Sequence, residues 1–152
     1  MIWLDADDTY PVEPIPEMAA ALHDGYDLVF TSRQGGREEI PRFNRLGNSI
    51  FSWAVRTLYG FEGSDPCTGL GGVRKEHLTR MNLTGQRFTI DSEIALKAGR
   101  MGLRVLDMPI QYRKRIGEAK LSGFKDGLQI AVGILAHILW QPSSSYPQEE
   151  QV

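Results

Sequence analysis

Four apolar residues, Met1-Ile2-Trp3-Leu4, run unbroken into Asp5-Ala6-Asp7-Asp8-Thr9. An apolar run that stops at acids predicts a buried strand delivering carboxylates at its C-terminal end. Leu28-Val29-Phe30-Thr31 predicts a second strand, ending at Ser32 and Arg33, and Leu103-Arg104-Val105-Leu106 a third, closed by Pro109. Between them the pattern is helical. Pro14 and Pro16 precede Met18 to Leu22, a short helix stopped by Asp24-Gly25. From Pro41 to Tyr59, Phe43, Leu46, Ile50, Ala54, Val55 and Leu58 recur at helical spacing, with Gly60 as the stop. Lys75 to Met81 predicts a short helix. Asp91 is placed as N-cap of another through Met101, with Glu93 in its first turn. A final helix is expected from Phe124 to Trp140. Gly63 to Gly72, with Asp65, Pro66 and Gly69, reads as loop.

Strands alternating with helices predict the α/β class with a mostly parallel sheet. A buried strand needs neighbours on both sides, so one at residue 1 implies a fold truncated at its N-terminus. Residues 1–140 form the expected domain. The polar tail 141–152 is expected to be disordered.

Composition narrows the classes. With 152 residues, 41% of them hydrophobic, there is material for one packed core. One cysteine excludes a disulfide framework and a Cys-rich metal site. No basic, apolar leader opens the sequence, and the apolar stretch from Leu128 to Trp140 is shorter than the ~20 residues of a spanning helix. The expectation is a soluble protein, cytoplasmic or peripheral on the cytoplasmic face of a membrane.

Charge is distributed unevenly. Asp5, Asp7, Asp8, Glu13, Glu17, Asp24 and Asp27 all precede Arg33, the first Lys or Arg of the sequence. Arg37, Arg42 and Arg45 follow it, and a second cluster holds Arg113, Lys114, Arg115, Lys120 and Lys125. One account is solvated surface. The functional one is a carboxylate-held metal facing cations that bind phosphates. A sequence pI of about 5.9 argues against nucleic acid as a partner.

Asp5 and Asp7, two residues apart on an extended backbone, share one side and can reach one divalent cation. A turn whose acids cap the next segment is the plainer alternative. Asp-x-Asp-x-Thr resembles the first motif of the haloacid dehalogenase-like phosphatases, with Asp5 as the nucleophile, and Thr31-Ser32 resembles their second. The late acidic pair of that family has no match, since Asp107 is followed by Met108-Pro109. Leu4-Asp5-Ala6-Asp7 is also similar to the Asp-x-Asp motif of the inverting family-two glycosyltransferases. The similarity to their polyprenol-phosphate mannose and glucose synthases continues through Asp27 to Arg33, Arg45-Leu46-Gly47-Asn48 and Asp65-Pro66-Cys67-Thr68-Gly69. It ends with Pro109-Ile110-Gln111-Tyr112 and Arg115-Ile116-Gly117-Glu118-Ala119-Lys120-Leu121. These five follow the Asp-x-Asp motif in the family's order, and the similarity extends over about residues 2 to 135.

This resemblance implies the C-terminal part of a nucleotide-diphosphosugar transferase fold of the glycosyltransferase A type, with residues 1–140 as a partial catalytic domain. It implies Mg2+ or Mn2+ as cofactor, a nucleotide diphosphosugar donor and a polyprenyl phosphate acceptor. Asp5, Ala6 and Asp7 would contact the donor, with Asp5 and Asp7 on the metal. Arg33 would meet the donor's phosphate or sugar, and Arg115 and Lys120 would close over its phosphates. Arg45 is a candidate for the acceptor phosphate, or a solvated helix residue. Asp65 could orient the acceptor, act as a weak base, or cap its turn. An acceptor phosphate is already anionic, so no strong base is required. Three departures stand out. The family's stretch ahead of this point, with the strands and acidic residue that hold the nucleotide base and ribose, has no counterpart in the sequence. Thr9 occupies a position where some relatives carry a side-chain amide, and Ala119 replaces a serine.

Other residues are read structurally: Asp91 and Glu93 as helix-cap groups in preference to substrate groups, Cys67 as a small buried residue, and Trp3, Trp53 and Trp140 as core or interface rather than sugar-stacking platforms. His23, His77 and His137 share no metal spacing. The final helix would be a core element or a peripheral membrane contact. The enzyme rival is the phosphatase. The non-enzyme rival is a truncated domain that binds metal or lipid phosphate without turnover.

Overall fold

The computed structural model describes residues 1–40, 42–84 and 90–113, with positions 132, 136 and 140–142. The expected final helix and the tail therefore lie almost wholly outside the described residues. In chain order the elements are β1 (Ile2–Leu4), α1 (Ile15–His23), β2 (Leu28–Gly35), a 3₁₀ turn (Arg37–Glu39), α2 (Arg42–Tyr59), β3 (Leu70–Val73), α3 (Lys75–Met81), α4 (Ile90–Arg100) and β4 (Val105–Gln111). The α/β class holds.

The four strands lie in the order β1-β3-β2-β4. β2 and β4 pair in parallel, while β3 is antiparallel to both β1 and β2. The sheet is thus mixed, with parallel pairing confined to β2 and β4 among the described strands. Because β3 is reversed between them, β1, β2 and β4 still run in one direction. Their carboxyl ends share one edge, where open α/β sheets bind ligands.

β3 corrects the loop expected over Gly63 to Gly72. Gly71 lies in register between Trp3 on one side and Phe30 on the other. A Cβ there would run into the Trp3 indole. Without it, Trp3 and Phe30 meet edge to face across β3, ring centroids 5.7 Å apart. Glycines that read as loop punctuation are here the condition for close aromatic packing in a strand. β1 is half-buried at the edge of the described sheet, not buried on both faces. The third strand runs on through Pro109 because β4 is an edge strand of the described sheet, and an edge strand tolerates a missing N–H.

Alternation along β2 sends side chains to two cores. Leu28 and Phe30 join Phe51, Val55 and Tyr59 of α2, Met81 of α3 and Ile94 of α4 on one face. Val29 joins Met18 of α1, Tyr10, Leu70, Met108, Ile110 and Tyr112 on the other. α2 spans the expected residues, but Leu46, Ile50 and Leu58 are exposed. Part of the expected core face is the outer face.

Candidate functional site

Leaving β1, the Asp5 N–H donates to the Gly69 carbonyl at 2.8 Å, and the Asp5 carboxylate lies so close to Gly69 that no Cβ fits there. Asp5 and Ala6 are exposed, and Asp7 is half-buried. Asp8 takes a left-handed conformation, φ 61°, which turns the chain and sends Thr9 and Tyr10 inward. Thr9 then donates to Asp7 Oδ1 from its hydroxyl at 2.5 Å and its N–H at 3.3 Å. That position, which departs from the family pattern, is used to orient the second acid of the motif.

Tyr10 ties the acidic loop to the strand ends. Its hydroxyl oxygen accepts the Gly69 N–H at 2.8 Å. Burial holds its phenol well above the ordinary range. Its ring meets Tyr112, just past β4, edge to face at 5.3 Å. Over Tyr112 lies the Arg33 guanidinium, 5.6 Å from the ring centroid. Tyr112 closes one of the motifs that carry the resemblance and Tyr10 follows the acidic run, but the sequence pattern gave neither of them a role.

Arg33 is gripped by Asp65. Nε donates to Oδ2 at 2.6 Å and Nη2 to Oδ1 at 2.7 Å, in the bidentate fork that arginine makes with carboxylates. Burial works against the guanidinium's charge, yet the Asp65 hydrogen bonds and charge outweigh it and raise the pKa. The loop bearing Asp65 is fixed to β2 by the buried Thr31 and Thr68 hydroxyls, 2.7 Å apart, with Thr31 also donating to the Leu70 carbonyl. Asp65 therefore anchors Arg33, a role beyond those considered from sequence.

Arg33, Arg45 and Asp65 line one open cavity of about 1010 Å³, together with Asn48, Trp53 and Arg56. Asp5, Ala6 and Asp7 are not among its lining residues. The candidate site thus has an acidic part at the end of β1 and a cationic cavity beneath α2. The chain of contacts through Gly69, Tyr10 and Tyr112 links them. Arg115 and Lys120 lie outside the described residues.

Asp91 belongs to the acidic part, although its sequence context reads as a cap. Burial, and then the negative charge of Asp5, push its carboxyl up to about 7. Glu93, by contrast, is structural. It is buried, pairs with Lys97 at 2.5 Å and accepts the Thr84 N–H, while Lys97 donates to the carbonyls of Met81 and Asn82. His77 and Asp27, 3.0 Å apart, lock α3 to the start of β2, at the opposite end of that strand. Cys67 packs, partly buried, against the core on the α2 side of the sheet, and burial pushes its thiol up to about 12.

Among the described residues, no three His, Cys, Asp or Glu side chains are placed to hold a metal by themselves. A cation held by one or two carboxylates and completed by substrate phosphates is the form magnesium commonly takes. Asp5 and Asp7 are two carboxylates of that kind on one loop, and the charge of Asp5 adds to burial in raising the Asp91 carboxyl.

No family model matches the sequence. Individual relatives do. Over 136 residues the chain is 35% identical to the dolichyl-phosphate hexose transferase of Haloferax volcanii, covering 89% of this chain and 59% of that protein. It is 28% identical over 131 residues to glycosyltransferase AglJ of the same organism, covering 84% of this chain and 43% of that one. Over 128 residues it is 29% identical to the dolichol-phosphate mannosyltransferase of Mycosarcoma maydis, with 81% and 44% covered. The chain spans about three-fifths or less of these relatives.

Proposed function

We propose, from its similarity to the polyprenol-phosphate hexosyltransferases over the part of their length that it spans, that the protein transfers a hexose from a nucleotide diphosphosugar to a polyprenyl phosphate. The transfer inverts the anomeric carbon, as in the family-two enzymes. The observation that carries this reading is the cavity lined by Arg33, Arg45 and Arg56, in which Asp65 already has both oxygens engaged by Arg33. Such a cavity suits an anion that needs holding and no strong base.

In this account Arg45, half-exposed on α2, takes the acceptor phosphate, and Arg33, fixed by Asp65 and Tyr112, faces the donor. Charged groups fixed in advance stabilise the developing charge without reorganising. Asp5 and Asp7 hold Mg2+ or Mn2+, with Asp7 oriented by Thr9. When bound, the cation supplies charge neutralisation for the departing diphosphate. Arg115 and Lys120 keep the donor-phosphate role that the resemblance gives them.

The test uses the complete protein with labelled uridine and guanosine diphosphohexoses, a polyprenyl phosphate and either cation. Label is expected in the lipid fraction, and chelation abolishes its appearance. Absence of transfer from every donor, or phosphate trapped covalently on Asp5, overturns the reading.

A further inference from the structure

The loop from Asp5 to Tyr10, which carries both acids of the strand-end motif, is closed at each end on one residue, Gly69. At its start the Asp5 N–H donates to the Gly69 carbonyl at 2.8 Å, one rung beyond the Leu4–Leu70 pair of β1 and β3. At its finish the Tyr10 hydroxyl oxygen accepts the Gly69 N–H, also at 2.8 Å. The left-handed turn at Asp8 returns the chain to the strand end it has just left. Tyr10 is only 5% exposed and Gly69 is buried, so water is poorly placed to replace that hydroxyl. The ring of Tyr10 meets Tyr112 edge to face, and Tyr112 carries the Arg33 guanidinium over its own ring. One side chain thus touches the support of Asp5 and the support of Arg33.

We propose that Tyr10 is a positioning residue with two separable functions: its hydroxyl sets the acidic loop for a divalent cation, and its ring sets Arg33 for the diphosphate of the donor. A loop fastened at one end samples many placements of Asp5 and Asp7, and a cation must restrict them before both carboxylates meet it. Closure at both ends on Gly69 removes that entropy cost in advance. Without the tyrosine oxygen the buried Gly69 N–H has lost its acceptor, which favours rotation of that peptide. The same peptide unit stands against the Asp5 carboxylate, which occupies the place a Gly69 Cβ would take, so its rotation displaces the acid. The ring acts separately, because an edge-to-face pair fixes the plane of Tyr112 on which the guanidinium rests. A tyrosine that served only the core would show a single effect, loss of stability, with no division between hydroxyl and ring. On the identity of the two ligands the inference rests on the proposed function.

Calorimetric titration of the complete protein separates the two functions, with Mn2+ alone in one arm and inorganic pyrophosphate plus chelator in the other. Tyr10→Phe keeps the ring and removes the hydroxyl. It should weaken Mn2+ binding by about tenfold, the effect of one lost buried hydrogen bond, and leave pyrophosphate binding within about twofold. Tyr10→Leu removes both and should weaken each ligand by about tenfold. Val73→Ala truncates a fully buried side chain at the far end of β3 and supplies a destabilised control. It should lower the melting temperature while leaving both affinities within about twofold, since distant sites act independently. Four results overturn the inference: no Mn2+ binding by the wild type, wild-type Mn2+ affinity in Tyr10→Phe, equal loss of both ligands in Tyr10→Phe, or as large a loss of Mn2+ in Val73→Ala. The expected pattern of affinities, with no hexose transferred from any donor, removes the proposed function and leaves the role of Tyr10 standing.

Discussion

Arg33 and Asp65, 32 residues apart, are joined by two parallel hydrogen bonds at 2.6 and 2.7 Å, with side chains only 11% and 14% exposed. The pair holds the loop after α2 against the end of β2 and sets the guanidinium over Tyr112. Its partners come from two of the motifs that carry the family resemblance, and the fold makes them one unit.

Removing one member of this pair strands the other. Asp65→Ala should destabilise the protein by on the order of 3 kcal/mol, because an uncompensated charge remains largely buried. Replacing both, as Arg33→Met with Asp65→Leu, should recover much of that loss while leaving turnover abolished. Urea denaturation checks both. Equal stability of Asp65→Ala and wild type would show that the pair contributes nothing to the fold.

Two glycines should respond in opposite directions. Gly71→Ala drives a methyl into the Trp3 ring and should cost about 1–3 kcal/mol, shifting Trp3 fluorescence as β1 is displaced. Gly47, in α2, has open space where a methyl would stand, with nothing within 4 Å of it. Gly47→Ala should therefore stabilise by about 0.5–1 kcal/mol. Melting curves that rank the two variants the other way would refute the packing described for β3.

Much of the fold is legible from periodicity, because burial repeats at 2.0 or 3.6 residues wherever one face meets a core. β3 is not, since Gly71 and Gly72 carry no side chain to show a period. In a linear sequence, glycines that punctuate a loop look the same as glycines that let Trp3 and Phe30 meet. The spacing in α2 reads as one face, but two stripes at helical spacing superpose in a linear pattern. Only packing shows that Val55 is inside and Leu46 outside. In the site, Asp5, Asp7 and Arg33 are visible as strand-end residues. The roles of Tyr10, Tyr112 and Asp91 are not. Each acts through a neighbour distant in sequence, and Asp91 sits where a helix cap would be expected anyway.

Asp91 gives a pH-dependent prediction. Its carboxyl is raised from 3.8 to about 7, so between those values the folded state retains a proton that the unfolded chain has lost. The contribution of this group is therefore fully present below about pH 4 and is lost as pH rises through about 7. Asp91→Asn should remove that slope, and in the presence of chelator the variant should gain in melting temperature over the wild type at pH 8 relative to pH 4. A difference independent of pH would contradict the buried, Asp5-coupled environment.

Within the cationic cavity Arg45 is assigned to the acceptor phosphate, while Arg33 and the acidic strand end serve the donor. Steady-state kinetics of Arg45→Gln in the complete protein test it most directly, with donor and acceptor varied separately. KM for the polyprenyl phosphate should rise by about tenfold or more, the loss of one charge-assisted contact, while KM for the nucleotide sugar stays within about twofold. A rise confined to the nucleotide sugar, or no change in either, would contradict it.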